Sequence, residues 1–197
     1  MVIITKKDWD YINSNKGNYS ARGMLDVLTI VENDFGDREK KRIIEEMNVL
    51  GIDISNIKET SIIPLTTFII LLVVIKQVLK LEEKEVLKLG EDAAKLSFVL
   101  KYASRLLLSL DVACKNANIG WHKYYKVGEL IVTELDKKER KIVGEVRDFT
   151  GHPVHCRFIE GHFSQMIFFI TGKKVNSHEE ECIFKGGKVH RYVMSYL

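Results

Sequence analysis

The sequence predicts an α+β fold in which helices come first and a ββαββ unit with an antiparallel sheet follows. Ahead of the Asn116–Gly120 stretch, apolar residues recur at the three- and four-residue spacing of amphipathic helices. Beyond it, two pairs of β-rich segments flank one apolar segment, and a turn-forming stretch separates the members of each pair.

Helix starts and stops in the first part are marked by capping residues and glycines. Asp37 is suited to cap one helix, Pro64 opens another, and Gly90 is the expected stop of a third. The predicted helices run from Met24 to Phe35, from Asp37 to Leu50, from Pro64 to Ile75, from Leu81 to Leu89 and from Ala93 to Leu110.

The second part predicts a hairpin, a helix and another hairpin. The first hairpin pairs 127–135 with 141–149, the helix covers 153–170, and the second hairpin pairs 175–184 with 188–196 around Gly186-Gly187.

The most apolar stretch, Ile62–Ile75, predicts a buried helix rather than a membrane span. Its unbroken part, Phe68–Ile75, is much shorter than the roughly 20 apolar residues that a span needs. The N-terminus lacks the pattern of a signal peptide, and three cysteines are too few for a secreted disulfide framework. We therefore expect a cytoplasmic protein without membrane insertion.

Charge and motifs exclude several classes of function. Thirty basic and 27 acidic side chains leave a net charge of +3, which does not fit a strongly basic nucleic-acid binder. The sequence contains no P-loop, dinucleotide fingerprint or nucleophile elbow. Binding is therefore a better expectation than catalysis, although an enzyme is not excluded.

Histidine, cysteine and glutamate are concentrated near the C-terminus, where five of the six histidines and two of the three cysteines lie. Imidazole, thiolate and carboxylate are the ligands that zinc prefers. The alternative is that the thiols are small buried side chains and the histidines are ordinary surface or hydrogen-bonded residues. The residues of this group are His152, His155, Cys156, His162, His178, Cys182 and His190.

The turn of the second hairpin decides whether two of these residues face each other. A two-residue loop would place Ile183 opposite His190, whereas a three-residue loop, Lys185-Gly186-Gly187, would place Cys182 there. Directly paired residues lie about 5 Å apart at Cβ, which suits two ligands of one ion. A metal site therefore requires the second register.

Three C-terminal segments resemble the 4-vinyl reductase domain: Cys156–Phe163, Glu179–Gly186 and His190–Val193. The pattern of that family is a Cys and a Gly opening the helix, a Glu-x-x-Cys, a Gly and a third Cys before the last strand. The upstream Asp34-Phe35-Gly36, Ile63-Pro64-Leu65 and Gly90 resemble a related myxobacterial-type family, so the likeness extends from about Gly23 to the end.

This resemblance implies a ligand-binding fold related to the TRAPP transport subunits. Residues 1–60 would form a helical segment packed on a 4-vinyl-reductase-like domain of residues 61–197. The resemblance also implies a structural zinc ion on Cys156, Glu179, Cys182 and His190, where His190 replaces the cysteine of the family. Because Glu179 and Cys182 would lie on opposite faces of a regular strand, this set requires a bulge or turn.

The expected function is that of a sensor-type domain that binds a small apolar or aromatic molecule. It would act as a homodimer or through a signalling partner, without direct contact to nucleic acid. The alternatives are an enzyme or accessory factor of vinyl-group reduction in tetrapyrroles, and a TRAPP-like dimeric scaffold with a filled core. The candidate pocket residues are Phe68, Leu72, Leu100, Leu107, Trp121, His122, Tyr124, Phe158 and Phe163.

Overall fold

The computed structural model describes residues 2–97 and 109–197. Its α-helices are α1 (Lys6–Ser14), α2 (Ala21–Phe35), α3 (Asp37–Val49), α4 (Leu65–Val78), α5 (Glu83–Leu96), α6 (Leu110–Lys115), α7 (Ala117–Tyr124) and α8 (Pro153–Thr171). Its strands are β1 (Asn18–Ser20), β2 (Ile62–Pro64), β3 (Glu129–Asp136), β4 (Lys141–Arg147), β5 (Val175–Glu181) and β6 (His190–Tyr196).

Four strands form an antiparallel sheet in the order β3-β4-β6-β5, and α8 connects β4 to β5. This confirms the α+β class and the ββαββ order. Strands β1 and β2 form a separate antiparallel pair that joins the N-terminal segment to the start of α4, with Tyr19 opposite Ile63. Neither this pair nor α1 is among the elements predicted from the sequence.

Local signals fix both ends of α8. Pro153 occupies the first turn, where its missing N–H costs little, and Nδ1 of His152 accepts a hydrogen bond from the Val154 N–H at 3.2 Å. Gly172 ends the helix in the left-handed conformation. The predicted helix 153–170 thus agrees with the observed Pro153–Thr171.

The apolar helix α4 is buried, as predicted. Every side chain from Phe68 to Ile75 is buried, and these residues belong to a hydrophobic core that also includes Met24 and Phe158. Among the helices that the structure describes, none combines the length and hydropathy that crossing a membrane requires.

Helix α8 lies between the sheet and the N-terminal helices, and it crosses α5 at backbone contact. A Cβ atom at Gly161 would lie 1.9 Å from the carbonyl oxygen of Leu87, and one at Gly90 would lie 2.0 Å from that of Phe158. Both distances are shorter than any real Cβ contact, so only glycine permits this crossing. Gly90 therefore lies inside α5, and the prediction that it ends a helix is wrong.

The predicted amphipathic helix from Ala93 to Leu110 is only partly described. Ala93 lies in α5, which ends at Leu96, and Leu110 begins α6. Leu100 and Leu107 lie outside the described residues. Helices α6 and α7 then occupy the stretch in which the sequence indicated a change of character.

The helix crossing makes Gly161 a sensitive position for stability. We expect Gly161→Ala to lower the free energy of unfolding by about 3 kcal/mol, because the added methyl group must push two helix backbones apart. The matched control is Gly120→Ala in α7, where an added Cβ would meet none of the described atoms within 4 Å. Urea unfolding measures both changes, and an equal effect of the two would contradict the proposed contact.

Candidate functional site

An apolar pocket lies between α7 and α8 and is closed by residues of β1 and β3. Its volume is about 30 Å³, and a neighbouring cavity of about 50 Å³ shares four of its walls, Ala117, Leu130, Phe163 and Met166. We call the first of these the aromatic pocket. It is lined by Tyr19, Ala117, Gly120, Trp121, Tyr124, Tyr125, Leu130, Phe158, Ile159, His162, Phe163 and Met166.

Stacked rings fix the α7 side of the pocket. Trp121 lies parallel to Tyr125 with ring centroids 3.9 Å apart, and its indole N–H donates to the carbonyl oxygen of Val127 at 2.9 Å. Phe149 meets Trp121 edge-on at 5.2 Å. Each polar atom of this wall that is buried thus has a partner, while the ring faces remain available for apolar contact.

His162 is the polar exception in the pocket wall. Its Nδ1 atom is buried and has no hydrogen-bond partner among the residues that the structure describes. Burial lowers the pKa of His162 to about 4, so the imidazole is neutral at pH 7. The rings of Tyr124 and Phe158 pack beside it at 5.9 and 6.3 Å. A neutral imidazole whose buried Nδ1 lacks a partner among the described residues therefore lies in the wall of an aromatic cavity.

His155 is a second neutral imidazole on the same helix. It is completely buried, and burial lowers its pKa to about 3. Its Nε2 atom lies 2.8 Å from the hydroxyl of Tyr125, whereas Nδ1 has no partner in the described part of the chain. Unlike His162, it does not line the aromatic pocket.

The structure distributes the nine predicted pocket residues unevenly. Four of them line the aromatic pocket: Trp121, Tyr124, Phe158 and Phe163. Phe68 and Leu72 instead fill the core, because α4 is buried on all sides. His122 is exposed at the end of α7, with Nδ1 3.1 Å from the carbonyl oxygen of Tyr125. Leu100 and Leu107 lie outside the residues described.

His162, Tyr19 and Met166 belong to the pocket wall but are not among the predicted pocket residues. His162 was grouped with the possible metal ligands. Its place four residues after Phe158 on one helix was the available signal, because residues i and i+4 share a helix face.

A second constellation joins four side chains at the other end of α8. Ligand atoms of Cys156, Glu179, Cys182 and His190 all lie within 4.8 Å of one another. Cys156 comes from the first turn of α8, Glu179 from β5, Cys182 from the residue after β5, and His190 from the start of β6. We call these four residues the thiol-imidazole cluster.

Strand register explains how the hairpin brings its three members together. Glu179 pairs with Tyr192 and Glu181 pairs with Arg191, so Glu180 is an extra residue in a β-bulge. Continuing the second pairing sets Cys182 opposite His190, the register that a metal site requires. The connection is longer than predicted, since a 3₁₀ turn at Ile183–Lys185 precedes Gly186.

Hydrogen bonds organise the charges of the thiol-imidazole cluster. Burial lowers the pKa of His190, but hydrogen bonds to Glu179 and to the Thr150 carbonyl outweigh it and raise the pKa overall. Nδ1 of His190 lies 2.9 Å from the Glu179 carboxylate and Nε2 lies 3.0 Å from the Thr150 oxygen. The hydrogen bond from Cys156 lowers the pKa of the Cys182 thiol to about 6.

The cluster therefore brings two sulfur atoms, a carboxyl group and an imidazole together in a buried space. Such donors suit a transition-metal ion. The role of the four residues as metal ligands stays a prediction. Of the other histidines in the predicted group, His152 caps α8 and contacts Asp8 at 3.1 Å, and His178 is exposed on β5.

Glu179 and Glu180 offer a matched pair of substitutions in this cluster. Glu179→Ala removes the carboxylate partner of His190, whose side chain is 1% exposed, and should lower the free energy of unfolding by about 3 kcal/mol. Glu180→Ala removes a carboxylate that is 53% exposed and should change it by less than about 0.5 kcal/mol. Chemical denaturation compares the two, and a small effect of Glu179→Ala would contradict the buried pair.

Comparison with known proteins rests on structure alone, since neither a family model nor a curated protein matches the sequence. An H-NOX protein from S. oneidensis in the Fe(II)NO state superposes with a TM-score of 0.69 at 10% identity, covering 90% of this chain and 99% of the other. The Fe(II) unliganded H-NOX protein from K. algicida gives 0.65 at 12% identity, covering 91% and 96%. A structure from work on heme distortion in the H-NOX family gives 0.64 at 9% identity, covering 90% and 94%.

These neighbours correct two predictions. The assignment to the 4-vinyl reductase and myxobacterial-type families, with a TRAPP-related fold, is wrong, because the matching structures are H-NOX domains. The zinc cofactor implied by that assignment is wrong as well, because the neighbours are described by heme and its iron. Over nine-tenths of its length, this chain has the H-NOX fold.

Proposed function

We propose that this protein is a small-molecule sensor domain whose ligand binds in the aromatic pocket. The observation that carries the proposal is the neutral His162 imidazole, whose buried Nδ1 lacks a partner among the described residues. An unpaired buried polar atom costs free energy unless a ligand or water satisfies it. The surrounding rings supply the apolar walls that are typical of small-molecule sites.

Heme is the first ligand to test, because the structural neighbours are heme proteins with Fe(II) in several ligation states. The donor chemistry fits: a neutral histidine is a common axial ligand of heme iron. If heme binds here, His162 would hold the iron, and Trp121, Tyr124 and Phe158 would supply apolar surface around the porphyrin. Bound heme would supply an iron atom able to take a diatomic gas.

The described cavities are much smaller than a heme pocket would have to be. Pockets for ligands of drug size measure about 300–1,000 Å³. The two cavities measure only about 30 and 50 Å³. The walls formed by the described residues must therefore move apart to admit a porphyrin.

A compact apolar ligand of a few heavy atoms is the second candidate, and the small volume favours it. Such a molecule would need little displacement of the rings, and a single polar group on it could form a hydrogen bond with His162 Nδ1. Homodimer formation and a signalling partner complete the proposal, and sedimentation of the purified chain tests the first of these.

Reconstitution with hemin tests the role of His162. We expect the wild type to bind hemin with a Soret band, and His162→Ala to weaken binding by about tenfold or more with a shifted band, because the imidazole that would hold the iron is lost. His178→Ala, an exposed histidine on β5, is the matched control and should behave like the wild type.

The same samples separate the two ligand classes. Trp121 lines the pocket, so a saturable change in its fluorescence on addition of benzene in a Trp9→Phe background reports binding of a compact apolar molecule. Such a change without a Soret band would favour the second candidate. The absence of both signals in the wild type would overturn the proposed function.

The pH dependence of stability gives a further test of His162. Its pKa of about 4 in the fold lies below the ordinary 6.5, so between these values the unfolded chain binds a proton that the folded chain does not. The stabilising contribution of neutral His162 to the free energy of unfolding is complete above pH 6.5 and is lost as the pH falls towards 4. From pH 7 to pH 5, the wild type should lose about 1–2 kcal/mol more than His162→Gln does in urea unfolding.

His178→Gln is the control for this comparison and should follow the wild type. An equal loss in the wild type and in His162→Gln would show that His162 is not buried as a neutral imidazole.

A further inference from the structure

A polar cleft lies where α1, the end of α4 and the start of α8 meet. Its volume is about 520 Å³, within the range of about 300–1,000 Å³ that is typical of small-molecule sites. We call it the basic cleft because three lysines line it, Lys7 on α1, Lys76 in the last turn of α4 and Lys80 just beyond that helix. Its described wall residues are all different from those of the aromatic pocket.

We propose that the basic cleft binds a small organic molecule that carries a phosphate group. Lysine ammonium groups are common partners of phosphate oxygens in proteins. Apolar side chains also line the cleft, among them Val73, Leu81 and Val154, and they would contact the organic part of the molecule. This second ligand is independent of the function proposed for the aromatic pocket.

The charges that line the cleft leave a positive excess. Asp8 is the one acidic residue among its described walls, and its carboxylate already accepts hydrogen bonds from the hydroxyl and the N–H of Thr5 at 2.7 and 3.1 Å. Burial lowers the pKa of His152, so its imidazole is neutral at pH 7. Lys76 pairs with Glu83. The other two lysines have no carboxylate partner in the part of the chain that the structure describes.

Lys80 holds a backbone conformation that favours glycine. Its φ of +54° is left-handed, and it directly follows Leu79, the C-cap of α4. The Leu81 N–H donates to the Lys76 carbonyl oxygen at 2.9 Å, which is the hydrogen bond of a Schellman motif. A lysine at this position costs conformational free energy that glycine would not. An anionic ligand would give the side chain of Lys80 the partner that the described residues do not supply.

The start of α8 forms another wall, but its first amide groups already have partners. The Val154 N–H donates to His152 Nδ1 at 3.2 Å, and the N–H groups of His155 and Cys156 donate to the His152 carbonyl oxygen at 2.8 and 3.0 Å. The dipole of this 19-residue helix still adds positive potential at its N-terminal end. The lysine ammonium groups are therefore the donors that a phosphate group would meet.

Calorimetric titration of the full chain at low salt tests the proposal with three probes. Pyrophosphate reports on phosphate recognition, and ADP adds an organic part that adenosine presents without phosphate. We expect saturable binding of pyrophosphate and ADP, no binding of adenosine, and weaker binding of both phosphates as salt screens the lysines.

Lys80→Gly and Arg140→Gly are a matched pair of variants. Each removes a basic side chain from a residue with a φ of +54°, but Arg140 lies between β3 and β4 and does not line the cleft. We expect Lys80→Gly to weaken pyrophosphate binding by about tenfold, because one charged contact is lost, and Arg140→Gly to leave it unchanged. Neither variant should unfold at lower urea, since glycine adopts this conformation without strain.

Lys7→Gln removes a charge from a different element of the same cleft and should also weaken pyrophosphate binding. Co-sedimentation with vesicles of phosphatidic acid and phosphatidylcholine distinguishes a lipid headgroup from a soluble molecule. Binding to these vesicles without binding of pyrophosphate or ADP would contradict the proposal, because the partner would then be a membrane surface. Two further results would overturn it: no saturable binding of either soluble phosphate, or equal binding by Lys80→Gly and Arg140→Gly.

Discussion

The backbone contact between α5 and α8 at Gly90 and Gly161 is the constraint on which the arrangement of both sites depends. It lets the two helix backbones come into direct contact, because each glycine faces a carbonyl oxygen of the other helix. A Cβ at Gly90 would also come within 3.1 Å of the backbone nitrogen of His162. The position of the pocket histidine is thus set by the crossing itself.

Helix α8 contributes residues to both candidate sites. One side presents His162 and Phe158 to the aromatic pocket. The opposite side presents Cys156 and Glu160 to the second hairpin, where the Glu160 carboxylate accepts a hydrogen bond from the Ser177 hydroxyl at 3.3 Å. Being packed on both sides, α8 is apolar around most of its surface, and this explains why its sequence lacks a clear amphipathic period.

Elements with local signals could be predicted from the sequence, and those set by distant contacts could not. The hairpins and α8 follow from turn residues, caps and β-rich runs that are adjacent in the chain. The role of Gly90 depends on the contact of α5 with α8 near Gly161, some seventy residues away in the chain. A rule that treats glycine as a helix end therefore predicts a stop at the point where the two helices cross.

The candidate sites show the same division. The cluster of Cys156, Glu179, Cys182 and His190 was named from a sequence pattern, although the family and the cofactor inferred from that pattern were wrong. The role of His162 as a pocket wall needed the tertiary placement of α7 against α8. At 9–12% identity, the likeness to H-NOX domains resides in the path of the backbone, which sequence motifs do not report.

The β-bulge at Glu180 has a consequence for aligning this chain with its relatives. Residues Glu179 to Glu181 are identical in type, so a sequence alignment cannot tell which of them is the extra residue of the bulge. A gap placed one position away would exchange the glutamate beside His190 for one that faces Arg191 or solvent. A homology model built on that alignment would place the side chains of β5 on the wrong faces of the sheet. The pairing of Glu179 with Tyr192 identifies the correct register.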